Sequence, residues 1–302
     1  MRTDVLISVV IPTFNRAHTL PDAAESLHGQ DAPLELIVVD DGSTDDTARV
    51  MGELASRSPF PVAYLQREHA GMWAAVNAGV AAAKGEMVAL LGSDDMLAPG
   101  ALGRFAAHWA AIPDKNGFAG VTGLCVDEAG HYVGDRFPAD VLDTSWQEMH
   151  YRHRPAGEKS GMQRTDILRA YPFPPSQGFE SMIWRKIGLR YQTRYVNDVF
   201  HIYRTSGSDH LSRTPFARVA ETAAVVYSEM LNEDARWFRH APDAFFEYGA
   251  QYARATFHEG TPVHRQAAGL RTWQARALWL TGLPLGWLAY QRDRHRDANV
   301  RP

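Results

Sequence analysis

Two pairs of adjacent carboxylates, Asp40-Asp41 and Asp94-Asp95, stand where an apolar run gives way to small polar residues, in LELIVVDDGSTDD and EMVALLGSDDM. A half-buried aspartate pair is electrostatically costly, because like charges at close range oppose ionisation. A divalent cation removes that cost, and Mg²⁺ characteristically takes one or two protein carboxylates and completes its shell from phosphate oxygens. Asp94-Asp95 therefore read as the seat of a metal–diphosphate complex. Asp40-Asp41, at a second strand end, read as acceptors for hydrogen bonds from a nucleoside. DDGSTDD taken alone also reads as a turn and helix N-cap, since Asp, Gly, Ser and Thr favour such places. The second pair, in the same setting, tips the balance toward chemistry.

The elements that must position these residues follow from the hydrophobic pattern. Over residues 1–110, apolar runs alternate with helical patterns, which predicts βαβ units and a parallel sheet. LISVVIP, LELIVVDD, PVAYLQ and EMVALLG are the four expected strands, the first ended by Pro12. Helices are expected over residues 18–30, after GSTDD with Thr44 or Asp45 as cap, and over Met72 to Ala83. Strands apolar on both faces require helices on both sides, and ligands of such sheets bind at the carboxyl ends of the strands. Thr13, Asn15, Asp40, Asp41, Asp94 and Asp95 all fall at those ends. Residues 115–215 are less regular: VTGLCVDEAGHYVGD reads as a hairpin turning near Glu128-Ala129-Gly130, and a helix is expected over residues 181–189. Beyond residue 215 the pattern is helical, with breaks expected at Pro242, Pro262 and Pro284.

VVIPTFNR, VVDDGSTDDT and AAVNAGVAAAKGE running into MVALLGSDD occur in this order at a spacing that resembles the family-two inverting glycosyltransferases, which have the GT-A fold. The resemblance is strong over residues 6–100, weaker over 180–204 and faint beyond. It implies an α/β fold, a Rossmann-like, mostly parallel sheet flanked by helices, followed by a helical C-terminal extension. The expected division is a transferase domain over 1–214, with a nucleotide-binding half to about 110 and an acceptor-side half from 111, and an extension over 215–302. It further implies a nucleotide diphosphate sugar as donor, UDP-linked by family habit, a hydroxyl acceptor and Mn²⁺ or Mg²⁺. Pro12, Thr13 and Asn15 would line the nucleotide pocket, and Asp41 would accept from the base. Asn77 falls in the donor-side helix, where a packing role is the alternative. Asp94 would contact ribose or sugar, and Asp95 would ligate the metal. Many members carry a further Asp where this chain has Gly92, so metal affinity without donor is expected to be weak.

An inverting transfer needs a general base, because the acceptor hydroxyl loses its proton as it attacks. The family places it at a helix start, where this chain reads SQGFESMIWRKIG. Glu180 is the candidate, although many members read Glu-Asp there and this chain reads Glu180-Ser181. A carboxylate in a helix's first turn, favoured by the macrodipole, is the plain alternative, and Asp198 and Asp209 are the fallback bases. Tyr203-Arg204 match the family's strand end, with Arg204 on the leaving diphosphate. His210, or else His201, would ligate the metal. Trp73, Trp184, Tyr171 and Phe173 could form an aromatic platform for the acceptor, against the commoner use of such rings as core.

Composition narrows the partners. The net charge of −4 over 302 residues argues against nucleic acid, whose binders carry a basic excess. A lone cysteine, Cys125, rules out an internal disulfide and suits a cytoplasmic protein. The apolar stretch from Val5 to Ile11 is too short for a signal peptide or a membrane span. The C-terminal LRTWQARALWLTGLPLGWLAYQRDRHR is read as a core-closing helix or a homodimer contact. The other reading is an interfacial helix, with Trp273, Trp279 and Trp287 near lipid headgroups and Arg292, Arg294 and Arg296 outside, making the protein peripheral to the membrane's inner face. The acceptor is left open among a polysaccharide, a lipid-linked glycan and a small natural product. A nucleotidyltransferase is disfavoured, because PTFNR stands where its Gly- and Arg-rich phosphate loop would be. A non-catalytic nucleotide-sugar-binding subunit that kept the fold is the alternative from another class.

Overall fold

The structure, a computed structural model, describes residues 6–174, 179, 181–205 and 216–299. The chain forms two compact units, one of Met1–Pro175 with Ile183–Ser208 and one of Ser176–Met182 with Asp209–Pro302.

The first unit is built on β1 (Ile7–Thr13), β2 (Leu34–Asp40), β3 (Val62–Gln66), β4 (Met87–Leu90), β5 (Met96–Leu97), β6 (Phe118–Asp127), β7 (Val141–Ser145), β8 (Lys159–Arg164) and β9 (Gln192–Tyr203). They join one sheet in the order β3-β2-β1-β4-β8-β6-β9-β5, with β7 also on β9. The pairings β2–β3, β1–β2 and β1–β4 are parallel. Antiparallel pairing enters where β8 slots between β4 and β6, and β6–β9 are again parallel.

Two-residue periodicity divides the central strands between two cores. Ile7, Val9 and Ile11 of β1, Leu36 and Val38 of β2, and Met87 and Ala89 of β4 face one core. Val10, Ile37, Val39 and Val88 face the other. The first core is covered by α1 (Leu20–Glu25), α2 (Thr47–Arg57) and α4 (Ala101–Ala110), through Leu20, Met51, Leu102, Phe105 and Trp109. The second is covered by α3 (Met72–Ala82), through Ala75, Val76 and Val80. Pro12 does not end β1, which runs on to Thr13 in register with β2. The last β1–β4 pair is Val10 with Leu90, so the missing Pro12 N–H faces a side where the ladder has already stopped.

Beyond the central strands, the hairpin turn at Glu128–Gly130 forms, but its return arm is a single bridge between Val126 and Tyr132. A short helix α5 (Trp146–Glu148) runs into a wide turn over Met149–His153, followed by α6 (Thr165–Ala170) and α7 (Ser181–Gly188).

The second unit contains α8 (Phe216–Glu233), α9 (Pro242–His258), α10 (Val263–Ala268) and α11 (Trp273–Asn299). Pro242 opens α9 and Pro262 precedes α10, as expected of prolines at helix starts. Pro284 is a correction: α11 runs through it without a break. Pro284 lies on the exposed side of the helix, on the face that carries Leu280 and Leu285 and away from the glycines that meet α9. On the other side α11 is held against α9. Among the described residues no helix is long and apolar enough to cross a membrane.

Candidate functional site

The strand order 3-2-1-4 reverses direction at β1, which places a crevice beyond the carboxyl ends of β1, β2 and β4. Thr13 ends β1 beside Asp40, and the Asp41 N–H donates to the Thr13 carbonyl at 2.9 Å. The Thr13 Oγ1 is buried and has no hydrogen-bond partner among the described residues. A buried hydroxyl without a partner is uncommon enough to need a reason, and a ligand is one.

The Asp41 carboxylate is enclosed by the segment that precedes α3. Ala70 N–H donates to Oδ1 at 3.0 Å and Gly71 N–H to Oδ2 at 2.7 Å. His69 Nδ1 lies 2.9 Å from Oδ2, and Arg67 Nε approaches Oδ1 at 3.4 Å without hydrogen-bond alignment. Gly42 sits at φ 87°, and a Cβ there would come within 3.1 Å of the His69 nitrogen, so only glycine lets the two segments meet. The half-exposed Phe14 ring rests on His69, with centroids 4.4 Å apart. Asp40 faces elsewhere: it accepts from Ser43 N–H at 2.8 Å and from the Tyr64 hydroxyl. Burial, and then the hydrogen bond to Asp40, push the Tyr64 hydroxyl far above its ordinary pKa, so it stays a donor.

Asn15 adopts φ 53°, a left-handed conformation that Asn tolerates. Its Oδ1 accepts from Thr44 N–H at 2.8 Å and more distantly from Asp45 N–H, while its own N–H donates to Ser43 Oγ. Asn15 thus ties the β1 end to the DDGSTDD turn. Pro12 stands half-buried just before Thr13.

Asp94 and Asp95 converge. A Cβ built on Gly92 would lie 2.6 Å from Asp95 Oδ2 and 3.0 Å from Asp94 Oδ1, so both carboxylates reach over the glycine. Asp95 Oδ1 accepts from the Arg204 N–H at 2.9 Å, and Oδ2 lies 3.2 Å from His201 Nε2. That ring nitrogen is buried, and the approach is too misaligned to be a hydrogen bond. The pairing of Leu97 with His201 across β5 and β9 brings the two side chains together. The Arg204 guanidinium is engaged by Asp22 of α1, at 2.6 Å.

These residues fit a metal that arrives with a ligand. Asp94, Asp95 and the partnerless His201 nitrogen offer hard oxygen and imidazole donors, suited to Mn²⁺ or Mg²⁺. Among the described residues no three His, Cys, Asp or Glu side chains form a ready-made metal cage. Phosphate oxygens and water would have to complete the shell.

Asn77 is bonded within the scaffold. Its Nδ2 donates to the Phe173 carbonyl and its Oδ1 accepts from the Phe173 N–H, both at 2.9 Å. The amide is used on both sides to fasten α3 to a distant loop, which is the packing role. The aromatic platform is also largely core: Trp73 stacks on Phe173 at 4.5 Å, and Trp184 meets Phe173 edge-on at 5.7 Å, within the second core. Of the fallback bases, Asp198 pairs with His108 at 2.7 Å. Glu180, His210 and Asp209 lie outside the described residues.

Sequence reasoning missed a cavity of about 510 Å³ between the sheet and α5 and α7, lined among others by Trp146, His150, Lys159, Gln163, Trp184 and Tyr195. Trp146 stacks on His150 at 4.2 Å. Burial, with the Arg154 charge adding to it, pulls the His150 imidazole down to about 4, so it is neutral at physiological pH. Lys159 donates to the Ala156 carbonyl at 2.6 Å and lies 5.8 Å over the Phe137 ring. The residues of this cavity come from six separate stretches of chain and carry no local motif.

Comparisons with known proteins agree with this architecture. The chain is 26% identical, over 94% of its own length and 89% of the relative's, to a glycosyltransferase of Nostoc sp.. It is also 26% identical to the GalNAc(5)-diNAcBac-PP-undecaprenol beta-1,3-glucosyltransferase of Campylobacter jejuni, over 82% of each chain. Among solved structures, S. aureus TarS in complex with UDP-GlcNAc superposes with a TM-score of 0.65 at 20% identity, covering 95% of this chain and 91% of that one. The mannosyltransferase PcManGT of Pyrobaculum calidifontis, in complex with GDP-Man and Mn²⁺, gives 0.54 at 21% identity, over 97% and 85%. The model of glycosyl transferase family 2 matches residues 8–174, more than half of the chain's 302 residues. The chain belongs to that family and is a glycosyltransferase.

Proposed function

We propose that the chain transfers a sugar, with inversion, from a UDP-sugar to a hydroxyl of a lipid-linked glycan. The convergence of Asp94 and Asp95 over Gly92, beside the buried His201 nitrogen, carries the reading. The lipid-linked acceptor is supported by the C. jejuni relative, whose acceptor is built on undecaprenol. Single, buried Cys125, whose thiol burial pushes up to about 12, suits a cytoplasmic setting.

Asp41 accepts from an imino N–H of the base, uracil in our reading, while the Phe14 and His69 rings offer a face to stack on. Thr13 and Asn15 bound the same pocket. Asp94 orients the ribose or sugar, and Asp95 with His201 holds Mn²⁺ or Mg²⁺. The metal, when bound, neutralises the diphosphate. Arg204 exchanges Asp22 for the departing phosphates, adding a charge-assisted hydrogen bond as the leaving group forms. Glu180 takes the proton from the acceptor hydroxyl, and the acceptor's oxygen bonds to the anomeric carbon as the bond from that carbon to the diphosphate breaks. The acceptor sugar occupies the cavity lined by Trp146 and Trp184, whose ring faces suit the apolar faces of sugars. Residues 1–214 act as the transfer domain and 215–302 as its extension.

Donor hydrolysis and transfer, measured with Mn²⁺ for wild type, Glu180→Gln and Asp95→Asn, test this reading. We expect Asp95→Asn to abolish both reactions and Glu180→Gln to remove transfer while donor still binds. Transfer that survives Glu180→Gln would move the base elsewhere.

A further inference from the structure

The second unit carries a helix turned inside out. On α11 the small residues face inward: a Cβ on Gly282 would lie 2.4 Å from the Ala250 nitrogen, and one on Gly286 2.5 Å from the Ala250 carbonyl oxygen of α9. Gly249 of α9 meets the Leu278 carbonyl equally closely. With Ala275, Leu278 and Trp279 buried, this seam is closed. Trp279 is core, as the core-closing reading of this helix has it, and donates to Gln266 Oε1 at 3.1 Å.

The large apolar side chains face out. Trp273, Leu280, Leu285, Trp287 and Leu288 are between 46% and 74% exposed. At roughly 100° per residue, these positions and Pro284 fall within an arc of about 160°, opposite the glycine seam. A soluble helix shows the reverse arrangement, and an apolar patch of this continuity marks a docking surface.

The charge next to the patch names the occupant. Arg292, Arg294, His295 and Arg296 follow it directly and are exposed, on a chain whose net charge is −4. Asp293, the one acid among the described side chains of α11, is turned inward onto Arg254, at 2.7 and 2.8 Å, and His258, at 2.9 Å. Among the described side chains the exposed end is therefore cationic, and Asp297, which follows Arg296, leaves the three arginines in excess. A second copy of α11 would bring the same excess of arginine to it, whereas anionic headgroups would neutralise it.

We propose that α11 lies flat in the headgroup layer of an anionic bilayer, with its Trp and Leu face toward the acyl chains and its arginines on lipid phosphates. The inference stands apart from the transferase reading, since it needs none of the residues placed in that site.

The test is sedimentation of the full chain with vesicles of phosphatidylcholine alone or mixed equally with phosphatidylglycerol, at low and high salt. We expect binding to the mixed vesicles, at least a tenfold weaker partition to phosphatidylcholine and at high salt, and loss of binding in Leu280→Glu/Trp287→Glu. Arg292→Gln/Arg294→Gln/Arg296→Gln should lose the salt dependence while circular dichroism and hydrolysis of soluble donor stay unchanged in both variants. Equal binding to both vesicle types, or none, overturns the proposal. So does a dimer in light scattering that Leu280→Glu dissociates while vesicles bind neither form, which would make the face a contact between copies.

Discussion

His201 Nε2 lies 3.2 Å from Asp95 Oδ2, with both side chains about nine-tenths buried, and the backbone N–H of Arg204 holds the other Asp95 oxygen at 2.9 Å. The β9 strand end thus fixes the carboxylate from two sides and leaves an imidazole nitrogen without a hydrogen bond. Such an arrangement is wasteful in a resting core and useful to a cation.

His201→Ala should therefore raise the Mn²⁺ concentration for half-maximal donor hydrolysis by roughly 10–100-fold, the range typical when support around a metal is lost. The rate at saturating Mn²⁺ should fall far less than in Asp95→Asn. A metal titration of wild type and both variants checks it. An unchanged half-saturation point in His201→Ala would make the histidine a packing residue.

Gly92 answers a departure from the family pattern in steric terms. A Cβ there would meet the carboxylate of Asp95, which the β9 end holds, and the tip of Asp94. Gly92→Ala should cost no more than about 1–2 kcal/mol of stability, since the closest crowding is with side-chain atoms. Moving them should nonetheless lower metal-dependent turnover about tenfold or more, equivalent to roughly 1.4 kcal/mol in the barrier. Urea unfolding alongside steady-state rates separates the two; full activity in Gly92→Ala would mean that the carboxylates need not converge there.

The sequence exposes what is local. β1, β2 and β4 announce themselves through continuous apolar runs, and the carboxylate pairs at their ends follow from the same runs. Long-range pairing is hidden. β5 has two residues, yet its ladder with β9 selects His201 for Asp95. The ion pair of Arg204 with Asp22 joins residues 182 positions apart. Arg67 and His69, which surround Asp41, carry no motif, and Phe14 sits inside VVIPTFNR with nothing in the motif to say that its ring meets His69. The unbroken course of α11 through Pro284 depends on a glycine seam whose partner lies on another helix.

Asn77 illustrates how a residue inside a family motif can serve the scaffold. Asn77→Ala would leave the N–H and carbonyl of buried Phe173 without partners, at a cost of about 2–4 kcal/mol. Nucleotide affinity of the folded fraction should be unchanged. Denaturation and calorimetric titration with UDP decide it: a stable variant with weakened UDP binding would return Asn77 to the donor pocket.

The stacked Trp146–His150 pair predicts a pH dependence with a definite sign. His150 titrates near its ordinary 6.5 in the unfolded chain and at about 4 in the fold, because burial first and the Arg154 charge second disfavour the imidazolium. The contribution is therefore complete above pH 6.5 and declines as pH falls toward 4, where only the unfolded chain has gained the proton. The difference of the two values corresponds to about 3 kcal/mol at most. His150→Phe keeps a ring against Trp146 and cannot titrate, so its unfolding midpoint should fall less steeply than wild type between pH 6.5 and 4. Denaturant midpoints across that window, measured for both proteins, give the comparison. Parallel curves would mean that His150 takes up its proton in the folded state as readily as in the unfolded one, and that the cavity beside it is wetter and more open than its aromatic walls imply.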